Sequence, residues 1–147
     1  MKYISHRGNL IGVDPSRENS PDYLMEAVDA DFDVEVDVWY VNGKIMLGHD
    51  APTYEVDLSF IKNTRFWCHA KNAEALEFML ANSVHCFWHE NDQRVLTSKG
   101  YVWTYPYKQI IDNAVVVILD EELDYAYVSR AVAVCCLLYT SPSPRDS

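Results

Sequence analysis

Residues 31–50 read Asp31-Phe32-Asp33-Val34-Glu35-Val36-Asp37-Val38-Trp39-Tyr40-Val41-Asn42-Gly43-Lys44-Ile45-Met46-Leu47-Gly48-His49-Asp50 and hold two apolar runs, a turn signal and a group of acids. From Val34 to Val38, β-branched valines alternate with carboxylates. A strand has a side-chain period of two, so the valines face one side and Glu35 and Asp37 the other. Asn42-Gly43 then separates this run from Ile45-Met46-Leu47, and Asn-Gly between apolar runs is a strong local signal for a hairpin. Spacing alone also suits the wet face of an antiparallel sheet. The arrival of His49 at the end of the second run, beside two acids, points instead to a site.

On the N-terminal side, Lys2-Tyr3-Ile4-Ser5 reads as a strand ending in His6-Arg7-Gly8, where glycine permits a sharp turn. A loop to Asn19 follows. Ser20-Pro21 reads as an N-cap and first helical position, with Leu24, Met25, Ala27 and Val28 forming an apolar helical face. Strand, helix and strand are complete by Val38. On the C-terminal side come a short amphipathic piece over 56–61, a strand from Phe66 carrying Trp67, His69 and Lys71 on one face, and a helix over 73–81 capped by Asn72. A strand over 84–89 follows, and beyond Gln93 helical patterns fade.

Eight strands are expected, over 2–6, 33–38, 45–49, 65–70, 84–89, 100–105, 114–119 and 131–136. Strands alternating with helices, with polar groups at strand C-terminal ends, predict an α/β protein of the (β/α) barrel type. Such TIM-like barrels take about 250 residues. A chain of 147 implies a compact, helix-depleted barrel or an incomplete, open one. Residues 1–136 are read as one domain, in which Pro106 closes the 100–105 strand, Asp120-Glu121-Glu122 makes a solvated acidic turn and 121–129 supplies a turn or two of helix. Residues 137–147 become Ser/Pro-rich and are expected to be a disordered, non-native tail resembling a translated adapter.

Composition narrows the function. A formal net charge of -10 disfavours nucleic acid and anionic membranes as general partners. No stretch is long and apolar enough to suggest stable membrane insertion, and the start lacks a signal-peptide core, so a cytoplasmic location is expected. Cys68, Cys86, Cys135 and Cys136 have no metal-type spacing and read as reduced, buried side chains. His85 and His89, alternating with Phe87, read as packing or rim residues, and Trp67, Trp88 and Trp103 as core, with Trp103 close enough to a strand end to border a cleft.

His6-Arg7-Gly8, Arg17-Glu18-Asn19-Ser20, Glu35-Val36-Asp37-Val38 and Gly48-His49-Asp50 together resemble, in order and spacing, the signature of the glycerophosphodiester phosphodiesterase family. Sphingomyelinase D-type phosphodiesterases are similar in the same positions. The resemblance covers the first fifty residues and extends more weakly through Lys71. It implies a (β/α)₈ barrel that hydrolyses small phosphodiesters with a divalent metal, Mg²⁺, Ca²⁺ or Mn²⁺. Carried over, His6 and His49 are the acid/base pair, Arg7 and Lys71 the phosphate contacts, and Glu35 and Asp37 the metal ligands. Position 69, where the family carries an acid, is histidine here and becomes the third ligand. Glu18, Asn19 and Asp50 are supporting residues, Glu18 or Asp50 orienting an imidazole. The C-terminal strand also departs from the family, ending in Cys135-Cys136 without an acid.

Elementary chemistry supports the same set. A phosphodiester transition state gathers charge on its non-bridging oxygens, which a hard cation on two carboxylates, a bidentate arginine and a lysine neutralise. Two imidazoles can divide the proton work, one activating water or a neighbouring substrate hydroxyl and the other protonating the leaving alkoxide. The expected partner is thus a small phosphodiester of open headgroup. A non-catalytic protein that binds such a headgroup in the same pocket is the alternative. The sequence leaves the oligomeric state open.

Overall fold

The computed structural model describes residues 1–105, 108–119 and 124–136. Pro106, the acidic turn at 120–122 and the tail at 137–147 lie outside them. The described chain is a mixed α/β structure: β1 (Lys2–His6), α1 (Pro21–Asp29), β2 (Asp33–Val41), β3 (Lys44–Leu47), β4 (Tyr54–Val56), α2 (Leu58–Ile61), β5 (Phe66–Ala70), α3 (Ala73–Ala81), β6 (Cys86–Phe87), β7 (Arg94–Leu96), β8 (Val102–Thr104), β9 (Ala114–Ile118), α4 (Tyr125–Val128) and β10 (Ala133–Cys136). No helix among the described residues is long and apolar enough to cross a membrane.

All ten strands belong to one sheet. Strands β6, β5, β2, β1, β10, β9 and β8 are hydrogen-bonded in that order, each parallel to the next. β3 and β4 extend it as an antiparallel hairpin on the far half of β2, and β7 pairs antiparallel with β8. Asn42 (φ 53°) and Gly43 (φ 75°) form the expected turn, setting Val41 opposite Lys44. The antiparallel wet-face reading fails at Glu35 and Asp37 themselves. Glu35 lies opposite His6 on one side and Trp67 on the other, in parallel ladders, and both acids are buried.

Two strands, β4 and β7, appear beyond the eight expected, and several expected strands are shorter: the 45–49 run ends at Leu47 and the 84–89 run keeps only Cys86–Phe87. Both added strands are three-residue pieces carrying too little alternation to register as a period. Helix α1 begins as expected: the Ser20 hydroxyl accepts from Tyr23 N and Pro21 opens the first turn. Helix α3 is capped by Asn72, whose side-chain oxygen accepts from Ala75 N at 2.9 Å.

The valine face of β2 packs with Leu24 and Ala27 of α1, Ala75 and Met79 of α3, and Leu47 and Ile61 in one apolar cluster. Burying side chains of this size stabilises the fold by about 1.5–3 kcal/mol each. The opposite face carries a second kind of cluster, uniting Ile4, Trp67, Phe87, Trp103, Val115, Val117 and Cys135 from strands at both ends of the sheet. Phe87 of β6 stacks on Trp103 of β8 with centroids 4.7 Å apart, although no ladder joins those strands, and Ser98 N donates to Cys86 O at 2.9 Å. The sheet therefore folds back on itself, and its inner face encloses the polar groups described next.

Candidate active site

The chain leaves β1 through an unusual corner. Arg7 adopts φ 58° and Gly8 φ 92°, and a Cβ on Gly8 would meet the Tyr23 ring at 2.8 Å. Arg7 tolerates the left-handed conformation because its N–H donates to Glu35 O (2.9 Å) and its carbonyl accepts from Asn19 N (3.1 Å). These bonds aim its guanidinium across the end of β2. There Nη1 donates to Glu18 Oε2 at 2.9 Å, Nε lies 3.2 Å from Asp37 Oδ2, and Nη2 lies 3.2 Å from His49 Nε2. Glu18 thus meets Arg7, not an imidazole, and Asn9 Nδ2 donates to its other oxygen at 3.3 Å.

Asp37 is the hub. Asn19, buried and also left-handed (φ 65°), donates from Nδ2 to Asp37 Oδ2 and accepts the Asp37 N–H on Oδ1, both at 2.9 Å. His49 Nδ1 lies 3.4 Å from Oδ2, and His69 Nδ1 lies 3.2 Å from Oδ1. Burial acts to raise the Asp37 carboxyl, but the imidazoles of His49 and His69 and the Arg7 charge outweigh it and hold the group well below the usual carboxylate range. Glu35 behaves oppositely: burial, then the adjacent Asp37, pushes it well above its ordinary value. His6 Nε2 stands 3.6 Å from Glu35 Oε2. Burial, then the Arg7 charge, pushes His6 down to about 4, so its imidazole is neutral near neutral pH.

His49 follows Gly48, beyond the end of β3, in a turn fixed by Trp39 Nε1 donating to Gly48 O at 2.6 Å. Asp50 Oδ1 is 3.7 Å from His49 Nε2, but its side chain is 98% exposed, so Asp37 is the acid that flanks this ring from within. Lys71 lies one residue past β5 and lines the same cleft of about 270 Å³ as His6, Arg7, Glu35, His49 and His69.

Arg7 Nε, Glu35 Oε2, Asp37 Oδ1 and His49 Nδ1 are buried, and none completes a hydrogen bond. Leaving such groups unsatisfied costs about 1–3 kcal/mol each, and more where they are charged. Glu35, Asp37 and His69 offer ligand atoms that all lie within 4.8 Å of one another. Two carboxylate oxygens and an imidazole nitrogen form a donor set suited to a divalent cation, and the orphaned oxygens are the kind of atoms that one satisfies.

Every residue expected at the site reaches this region, Asp50 at its rim. Not anticipated were Asn9, which supports Glu18, and the parts that Phe87 and Tyr105 take in the far wall of the cleft; Trp103, expected to border a cleft, stands in that wall as well. His89 was expected to be a packing or rim residue; it lines the cleft, its Nδ1 3.1 Å from Tyr105 Oη, and burial, then the nearby Glu35, pushes the Tyr105 hydroxyl up to about 12. Nothing local in the sequence marks these two, since sheet curvature brings β6 and β8 together. His85 is a packing residue as expected, its Nε2 2.9 Å from Thr97 Oγ1 and its ring tilted on Trp67 at 4.5 Å. Trp67 and Trp103 are buried as expected, whereas Trp88, also expected in the core, is only partly buried and packs against its edge, and the four cysteines are buried and unbridged. Comparison of the chain with protein-family models, with curated proteins and with solved structures finds no match in any of the three.

Proposed function

We propose that this chain hydrolyses small phosphodiesters with the help of a divalent metal, on a compact (β/α) barrel with several outer helices missing. The barrel reading rests on seven parallel strands, six of which share an inner cluster, and on polar groups gathered at one end. The observation that carries the function is one histidine set against each of two buried carboxylates, His6 by Glu35 and His49 by Asp37, with Arg7 spanning the second pair. A phosphodiester anion would be repelled by Glu35 and Asp37 alone. A divalent ion held by Glu35, Asp37 and His69 would supply charge neutralisation and Lewis-acid polarisation there.

The chain's own residues divide the remaining work. Arg7 and Lys71 bind the anion from the cleft wall, Arg7 with its plane fixed by Glu18. Neutral His6 takes the proton from water or from a neighbouring substrate hydroxyl. His49, its ring set with Nδ1 towards Asp37, returns a proton to the departing alkoxide. Asn19 keeps Asp37 in register by bonding both its carboxylate and its backbone.

The test is hydrolysis of a chromogenic phosphodiester by purified protein with and without added Mn²⁺, Mg²⁺ or Ca²⁺. Turnover should require metal, and His6→Asn and His49→Asn should each lower it by about 10²–10⁴-fold while leaving the thermal midpoint near the parent's. Saturable binding of glycerophosphodiester without turnover would favour a headgroup-binding protein. Turnover that survives excess chelator would contradict the metal.

A further inference from the structure

Resting on that reading of the site, we propose that the His89 segment is a positioning device that holds His69 as an Nδ1 donor and so makes the site select nitrogen-accepting divalent ions such as Mn²⁺ over Ca²⁺. The His89 carbonyl oxygen lies 3.2 Å from His69 Nε2. A carbonyl only accepts, so Nε2 carries the proton and the lone pair of the neutral ring is left on Nδ1. That nitrogen faces Asp37 Oδ1 at 3.2 Å and Glu35 Oε1 at 3.8 Å, and Asp37 Oδ1 has no hydrogen-bond donor. In the neutral ring that leaves three lone pairs turned towards one another, an arrangement that a cation among them relieves and that a proton on Nδ1, bonded to Asp37, relieves in its absence. The ring plane is fixed as well, by stacking on Phe87 at 5.1 Å and 8°.

The carbonyl is itself held in place. His89 Nε2 lies 2.9 Å from Asp92 O and therefore donates, which leaves His89 Nδ1 to accept from the Tyr105 hydroxyl at 3.1 Å. The His89 and Tyr105 rings stack with centroids 4.6 Å apart. Orientation thus passes from Tyr105, one residue past β8, through His89, to His69. Partners of this sort fix the tautomer of a ligating histidine and raise its basicity. Two carboxylates and an acid at position 69 would suit hard Ca²⁺; an imidazole there shifts preference to ions that accept nitrogen.

The experiment is calorimetric titration of the whole chain with Mn²⁺ and, separately, Ca²⁺, for the parent, Tyr105→Phe and His69→Asp. The parent should bind Mn²⁺ at least tenfold more tightly than Ca²⁺. Tyr105→Phe should weaken Mn²⁺ by about 10–100-fold with little change for Ca²⁺, narrowing the ratio, and His69→Asp should reverse the preference. An equal loss for both ions in Tyr105→Phe would overturn the positioning role, since a purely structural defect moves both alike. A parent without preference, whose turnover still needs metal, would overturn this inference and leave the proposed function standing; a parent that binds neither ion would overturn both. A second measurement needs no variant: ¹⁵N-histidine NMR of the metal-free protein should show the neutral form of His69 with its proton on Nε2, and a neutral Nδ1–H tautomer would overturn the inference.

Discussion

Asp37 is 1% exposed yet held ionised, and its neighbours explain how. Asn19 donates to it, Arg7 and His49 crowd the same oxygen, and His69 faces the other. At this scale Asn19 separates hydrogen bonding from charge. Asn19→Asp keeps the shape and the acceptor for Asp37 N–H but sets a second acceptor against Asp37 Oδ2. Losing a hydrogen bond to a charged group costs about 1.5–3 kcal/mol, so chemical denaturation should show a fall of about that size. Turnover of the folded variant should drop at least tenfold, and an unchanged rate would remove Asn19 from the site. Glu35, Asp37, His6 and His49 were legible as candidates because alternation and strand-end position are local properties. The tie between Arg7 and Glu18 was not, because it depends on a left-handed corner that residue type alone does not announce.

Among the elements, the hairpin of β2 and β3 does most to position His49. Gly48 has φ 153°, and a Cβ there would lie 1.9 Å from Ala51 O. The turn cannot accept a side chain without shifting, and His49 would shift with it. Gly48→Ala should therefore lower turnover at least tenfold. Gly43→Ala is the control: it is also left-handed (φ 75°), but a Cβ there meets nothing within 4 Å. Its cost should be confined to about 1–2 kcal/mol of backbone strain, with turnover unchanged. Equal rates for the two variants would show that the turn does not aim the histidine. Asn42-Gly43 was readable because a two-residue turn carries its own chemistry. Strands β4 and β7 were not, because three residues paired at an edge are defined by the partner strand and carry little pattern of their own.

For the whole molecule, the decisive feature is the packing of Phe87 of β6 on Trp103 of β8, which sets the aromatic wall against the cleft; of that wall only Trp103 was marked as a cleft residue by its place near a strand end. His85 sits in that seam, buried between Trp67 and Tyr101, and burial, then Lys99, pushes it down to about 4 from an ordinary 6.5. A histidine held neutral in the fold contributes stability that is complete above 6.5 and is lost as pH falls from 6.5 towards 4. The thermal midpoint should fall across the upper part of that window, before carboxylates protonate, and His85→Gln, which keeps a partner for Thr97, should flatten the fall. Identical pH slopes would take His85 out of the seam's energetics. The central claim is that the cleft joins a cation to a phosphodiester around Asp37. Its most direct test is a crystal grown with Mn²⁺ and glycerophosphate, read by anomalous scattering at the manganese edge. The account predicts one peak ligated by Glu35, Asp37 and His69 Nδ1, with a phosphate oxygen between it and Arg7; a cleft with no peak there, and Asp37 hydrogen-bonded directly to His69 in its place, would contradict it.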